Sequence, residues 1–170
     1  PYRNFLGIMF DGLRYFSVIP PTEPYSAIKS PIFPFGPAFP HFGPGGGETI
    51  QPSILTTIGA DAVVDWIFIE LRDKDDPQLV LATRSVLLQR DGDVVDTNNL
   101  SAPMFGGVQP AHYFVSIRHR NHLGIMTADS IALGYLPSAI DFTDSSTATY
   151  GIDARKEIAP GLLAMKAGDV

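Results

Sequence analysis

Asp65-Trp66-Ile67-Phe68-Ile69-Glu70-Leu71 is the stretch whose reading decides the fold. It is rich in β-branched and aromatic residues, and apolar side chains occupy both alternating sets. Trp66 and Phe68 fall on one face, and Ile67, Ile69 and Leu71 on the other. A strand with that pattern is covered on both sides and belongs at the centre of a sheet.

The neighbouring residues extend the same reading. Asp75-Asp76-Pro77 signals a turn and is followed by strand-like Leu79–Thr83 and then Ser85–Gln89. Asp91-Gly92 is a strong hairpin signal before Val94-Val95, because glycine adopts the positive φ that tight hairpin turns require. Tyr113, Val115 and Ile117 share one face of a further strand, with Phe114, Ser116 and Arg118 opposite. No segment of helical length sustains an i, i+3, i+4 apolar pattern. Upstream, eight prolines lie between Pro20 and Pro44, and Gly45-Gly46-Gly47 closes the stretch. Proline removes a backbone donor and fixes φ, which excludes helix and central strand there. The expectation is an all-β domain, a single β-sandwich: residues 49–170 form its core and residues 1–48 a Pro/Gly-rich extended covering segment.

Composition narrows the function classes. The 170 residues are 45% hydrophobic, enough for a folded core rather than a disordered chain. The net charge of -6, with Lys29, Lys74, Lys156 and Lys166 scattered, argues against nucleic acid, which needs clustered cations. No run approaches the ~20 apolar residues of a membrane-spanning helix, so membrane insertion is not expected. With no cysteine there is no thiol chemistry. Ser85, Ser116, Ser130 and Ser145 lack a Gly-x-Ser-x-Gly elbow, and Gly45-Gly46-Gly47 lacks the Lys-Ser/Thr of a phosphate loop. The reading is a non-enzymatic chain. It opens on Pro1 with no initiator Met, and is expected to be a piece of a longer exported protein.

Four stretches together carry a resemblance: residues 65–72, residues 82–96, Tyr113–Gly124 (Tyr-Phe-Val-Ser-Ile-Arg-His-Arg-Asn-His-Leu-Gly) and Ile125-Met126-Thr127-Ala128. With Gly7–Arg14 and Ile19–Tyr25, they resemble a recurring module of very large Bacteroidota surface proteins, adhesin- and haemagglutinin-like and exported by the type IX route. The resemblance implies an extracellular, cell-surface location and no defined catalytic activity. It implies a structural or adhesive role through packing against neighbouring modules or copies of itself. The alternative is a carbohydrate-binding module. The Pro/Phe-rich insert from Pro31 to Pro44 is longer than the Gly-rich connection usual in that family.

Three groups of residues are candidates for contact or chemistry. Phe33, Phe35, Phe39 and Phe42 sit on the semi-rigid Pro-rich segment, and either fold back on the core or present an interface. Asp91, Asp93 and Asp96 offer oxygen ligands suited to calcium, although without EF-hand spacing; the plainer reading is a water-facing hairpin turn. No cofactor is required. His119, Asn121 and His122 form a polar turn. Residues three apart on a strand face opposite ways, so the two imidazoles meet only if the strand turns between them. Finally, Arg72, Arg84, Arg90, Arg118 and Arg120 lie in or beside strands with Glu70, Asp91 and Asp93 nearby. Cross-strand pairing explains them, and an acidic glycan is the competing partner.

Overall fold

The computed structural model describes residues 8–30 and 36–168. The strand expected around Trp66 runs Val63–Asp73 (β1) and is buried along its first nine residues. It pairs antiparallel with Val80–Gln89 (β2) on one side and with Ala111–His119 (β4) on the other. Val94–Val95 (β3) continues the sheet beyond β2. His122–Met126 (β5) continues it beyond β4, and Ile131–Leu133 (β6) pairs with the start of β4. The order is β3-β2-β1-β4-β5, with β6 on β4. The two short strands anticipated between Leu79 and Gln89 are one continuous strand, since no turn residue separates them.

Side chains alternate between two apolar layers. Trp66, Phe68, Leu87 and Val95 lie in one; Ile67, Ile69, Leu71, Val86, Tyr113 and Val115 lie in the other. A bulge between Val63 and Asp65 interrupts the alternation. Val63 thereby shares the layer of Trp66, three residues on. An inserted residue reassigns faces in this way because the side-chain period is two.

The chain preceding the sheet covers the first layer. Ile19, Tyr25, Phe39 and Ile50 are buried against Trp66 and Phe68. The Trp66 indole N–H donates to the Pro20 carbonyl at 2.9 Å, and the Tyr25 hydroxyl donates to the Trp66 carbonyl at 2.9 Å. Among the described residues of this segment, pairing is by isolated bridges such as Thr22–Thr49 and Lys29–Pro37 rather than by strands. That is the consequence of its prolines. A four-residue helix, Gly12–Tyr15 (α1), precedes it.

The second layer meets Phe105, Val108, Leu133 and Ile140, which pack on it from irregular chain and from β6. A separate hairpin stands on this side, Arg155–Ala159 (β7) with Leu162–Met165 (β8), turning through Gly161 at φ 73°. The all-β expectation holds: the described residues form antiparallel strands with little helix. The second sheet is this two-stranded hairpin.

Both sheet edges have partners. On the β2 edge, the Thr83 N–H donates to the Phe42 carbonyl at 3.0 Å, and the Ser85 N–H to the Glu48 carboxylate at 3.2 Å. On the β5 edge, the Leu123 N–H donates to the Lys166 carbonyl at 2.9 Å, and the Tyr150 N–H to the Met126 carbonyl at 2.9 Å. Unpaired strand edges invite uncontrolled pairing with other chains, and these contacts restrict it.

Candidate functional site

β4 and β5 are joined by the two-residue turn Arg120-Asn121, which places His119 directly opposite His122 in the register. The polar turn anticipated at His119, Asn121 and His122 is found there. The imidazoles meet because the chain reverses between them. Their rings cross edge to face at 4.8 Å, with the two Nδ1 atoms 2.9 Å apart. The Asn121 N–H donates to His119 Nδ1 at 3.1 Å.

Behind this turn lies Asp65, which sequence reasoning did not single out. The residue is 2% exposed, and its carboxylate accepts the Trp66 N–H at 2.8 Å and two contacts from the Arg120 guanidinium at 2.8 Å. His119 Nε2 lies 3.1 Å from Asp65 Oδ2. Burial opposes charge on Asp65, but the His119 hydrogen bond and the Arg120 guanidinium outweigh it and hold the carboxyl below the usual carboxylate range. Burial first, and then the neighbouring His119 ring, push the His122 pKa down to about 4.

The hydrogen-bond directions in this chain of groups follow from one another. An ionised carboxylate only accepts, so His119 carries its proton on Nε2. His119 Nδ1 is then an acceptor, as the Asn121 N–H requires. The His122 Nδ1 beside it must donate, which leaves His122 Nε2 as a bare acceptor. That atom has no hydroxyl or other partner among the described residues.

His119 and His122 form one polar wall of a cavity of about 180 Å³ that is partly open to solvent. The sheet supplies its floor through Ile67, Leu88, Ile117 and Ile125, and the β7–β8 hairpin its roof through Ile158, Leu163 and Met165. The roof is braced: the Leu163 N–H donates to the Thr143 carbonyl at 2.9 Å. The Arg155 guanidinium donates to the carbonyls of Phe142 (2.9 Å), Asp144 (2.8 Å) and Thr147 (2.6 Å).

The phenylalanine candidates separate. Phe33 and Phe35 lie outside the described residues. Phe39 is corrected from interface to core: it is 8% exposed, 4.8 Å from the Tyr25 ring and 5.5 Å from Phe68. The Arg118 guanidinium lies over its face at 4.4 Å. The Pro-rich segment folds back at this point because packing the Phe39 ring against the sheet removes its apolar area from water. Phe42 remains exposed, while its backbone is fastened to Thr83. The apolar surface that sequence reasoning missed is at α1, where Phe10, Tyr15, Phe16 and Val18 are 63%, 75%, 69% and 57% exposed. Arg14 ties this segment to the Leu55 carbonyl and to Asp11.

Asp91-Gly92 is the anticipated hairpin turn, with Gly92 at φ 105° and Asp91 accepting the Asp93 N–H at 3.1 Å. Asp93 faces water, whereas Asp96 is buried and pairs with Arg84 at 2.8 Å. Among the described residues no three His, Asp or Glu side chains gather around one point. Each of the five arginines meets a carboxylate, mostly not the expected ones: Arg72 and Arg118 share buried Glu70, Arg120 takes Asp65, and Arg90 reaches Asp11 at 3.6 Å. Beside the Glu70 cluster, Arg72, Gln78, Ser116, Arg118 and exposed Tyr150 line a polar hollow of about 280 Å³. Trp66 and Tyr113 are buried.

The fold and these sites define an all-β protein with a doubly covered antiparallel sheet. Comparison with known proteins returns no matching family model, no matching curated protein and no matching solved structure.

Proposed function

We propose that this chain is a non-catalytic structural and adhesive module of an extracellular bacterial surface protein, acting by packing against neighbouring modules or copies of itself. The observation that carries the reading is the run of exposed Phe10, Tyr15, Phe16 and Val18 around α1, with Ile58 also exposed. Contiguous exposed aromatics of this kind mark interfaces, because each contributes large apolar contact at small entropic cost. Light scattering tests the reading. The chain at tens of micromolar should form dimers or larger particles, and the triple substitution Phe10→Ser, Tyr15→Ser, Phe16→Ser should return it to a monomer. A wild-type chain that stays monomeric over this range, alone and with a fused copy, contradicts it.

A carbohydrate-binding role is the second reading, supported by the hollow holding Arg72, Gln78, Arg118 and Tyr150. Glycan-array binding abolished by Tyr150→Ala and Gln78→Ala, but untouched by the α1 substitutions, would favour it.

A further inference from the structure

We infer that the cavity between the sheet and the β7–β8 hairpin is a binding site for a small apolar molecule with one hydrogen-bond donor, such as a phenol, held by His122 Nε2. This inference does not rest on the packing role above, and Phe10, Tyr15, Phe16 and Val18 are not among the residues lining the cavity.

Size supports the class of ligand. The cavity of about 180 Å³, partly open to solvent, is close in volume to the ~150 Å³ apolar cavity that takes up benzene. Its floor and roof are aliphatic: Ile67, Ile117, Ile140, Leu163 and Met165 offer no hydrogen bond to hold water at the centre. A water molecule needs two to four polar partners to be stable in such a place. An aromatic or short aliphatic body meets no such requirement.

Polarity selects within that class. Asp65, His119 and Asn121 fix the hydrogen-bond direction of the whole chain of groups, so the His122 ring donates inward through Nδ1. Its Nε2 can only accept. A ligand carboxylate would bring an acceptor to an acceptor, and a pure hydrocarbon would leave Nε2 without a partner. A hydroxyl or amide N–H satisfies it. Arg120 is paired with Asp65 through one of its guanidinium nitrogens and is not among the residues that line the cavity. Asp141, also on the wall, is an exposed carboxylate that accepts the Thr143 N–H and hydroxyl at Oδ1, each at 2.7 Å.

The test is NMR titration of the 170-residue chain at pH 7 with phenol, toluene and benzoate as probes. Phenol should give saturable shifts at the methyls of Ile67, Ile117, Ile140, Leu163 and Met165. It should bind roughly 3–10-fold more tightly than toluene, the worth of one hydrogen bond, and benzoate should be weakest. Saturation with phenol, but not with toluene, should move the His122 Nε2 nitrogen resonance. His122→Leu should equalise phenol and toluene, and Ala164→Phe should exclude both. No saturable shift in the wild-type chain, or shifts centred elsewhere, overturns the site. Equal affinities with an unmoved Nε2 resonance overturn the role of His122. Both of these outcomes are measured on the wild-type chain, so neither depends on a variant folding.

Discussion

At the residue scale, Asp65 carries the sharpest consequence. It is a buried carboxylate that accepts from Trp66, His119 and Arg120 at once, so removing its charge leaves Arg120 and His119 without their partner. Asp65→Asn should destabilise the chain by about 2–4 kcal/mol in urea unfolding, the range for breaking a buried charged network. A change below about 0.5 kcal/mol would show that the network contributes nothing. His122 gives a pH signature. Its native pKa of about 4 lies below the ordinary 6.5, so the unfolded chain takes up the proton first. The contribution is complete above about pH 6.5 and is lost as pH falls toward 4. Comparing wild type with His122→Gln isolates it from the other histidines. The stability of the wild type in urea should fall more steeply between pH 7 and 4.5, by about 1 kcal/mol, a figure reduced for the partial exposure of the ring.

At the element scale, the covering segment is held to the β2 edge by close backbone approach. A Cβ on Gly45 would stand 2.0 Å from the Thr83 carbonyl oxygen. That atom belongs to the backbone of a buried strand, which cannot move aside as a flexible side chain would. Gly45→Ala should therefore cost about 1–3 kcal/mol, whereas Gly47→Ser meets nothing within 4 Å of its Cβ and should cost only about 1 kcal/mol, through its φ of +76°. Thermal melts of the two variants compare them directly. Equal losses would mean that conformational freedom at these glycines, not the approach to Thr83, controls the joint.

At the scale of the whole molecule, the sheet cannot lose either cover without exposing a complete apolar layer. Trp66, the one tryptophan, is fully buried between β1 and the segment that carries Pro20 and Tyr25. Its fluorescence therefore reports on that cover, while far-UV circular dichroism reports on the strands. The two should trace a single coincident urea transition, as expected when one cooperative unit unfolds. A tryptophan signal that changes at lower urea than the dichroism would identify the covering segment as a separately melting part.

What the residues determined alone was local. Alternating and doubly apolar runs placed β1 at the centre of an antiparallel sheet. Gly92 specified its turn, and the prolines between Pro20 and Pro44 kept their segment out of the ladders, because each of these preferences acts within a few residues of backbone. Tertiary structure decided which distant groups meet. Asp65 and His119 are 54 residues apart, and their encounter depends on strand register and on the bulge after Val63, neither of which leaves a mark in the local pattern. The burial of Phe39 and the apolar cavity have the same origin. A ring beside prolines suits a surface and a core equally until the sheet beneath it exists, and a cavity belongs to the gap between two elements rather than to either sequence.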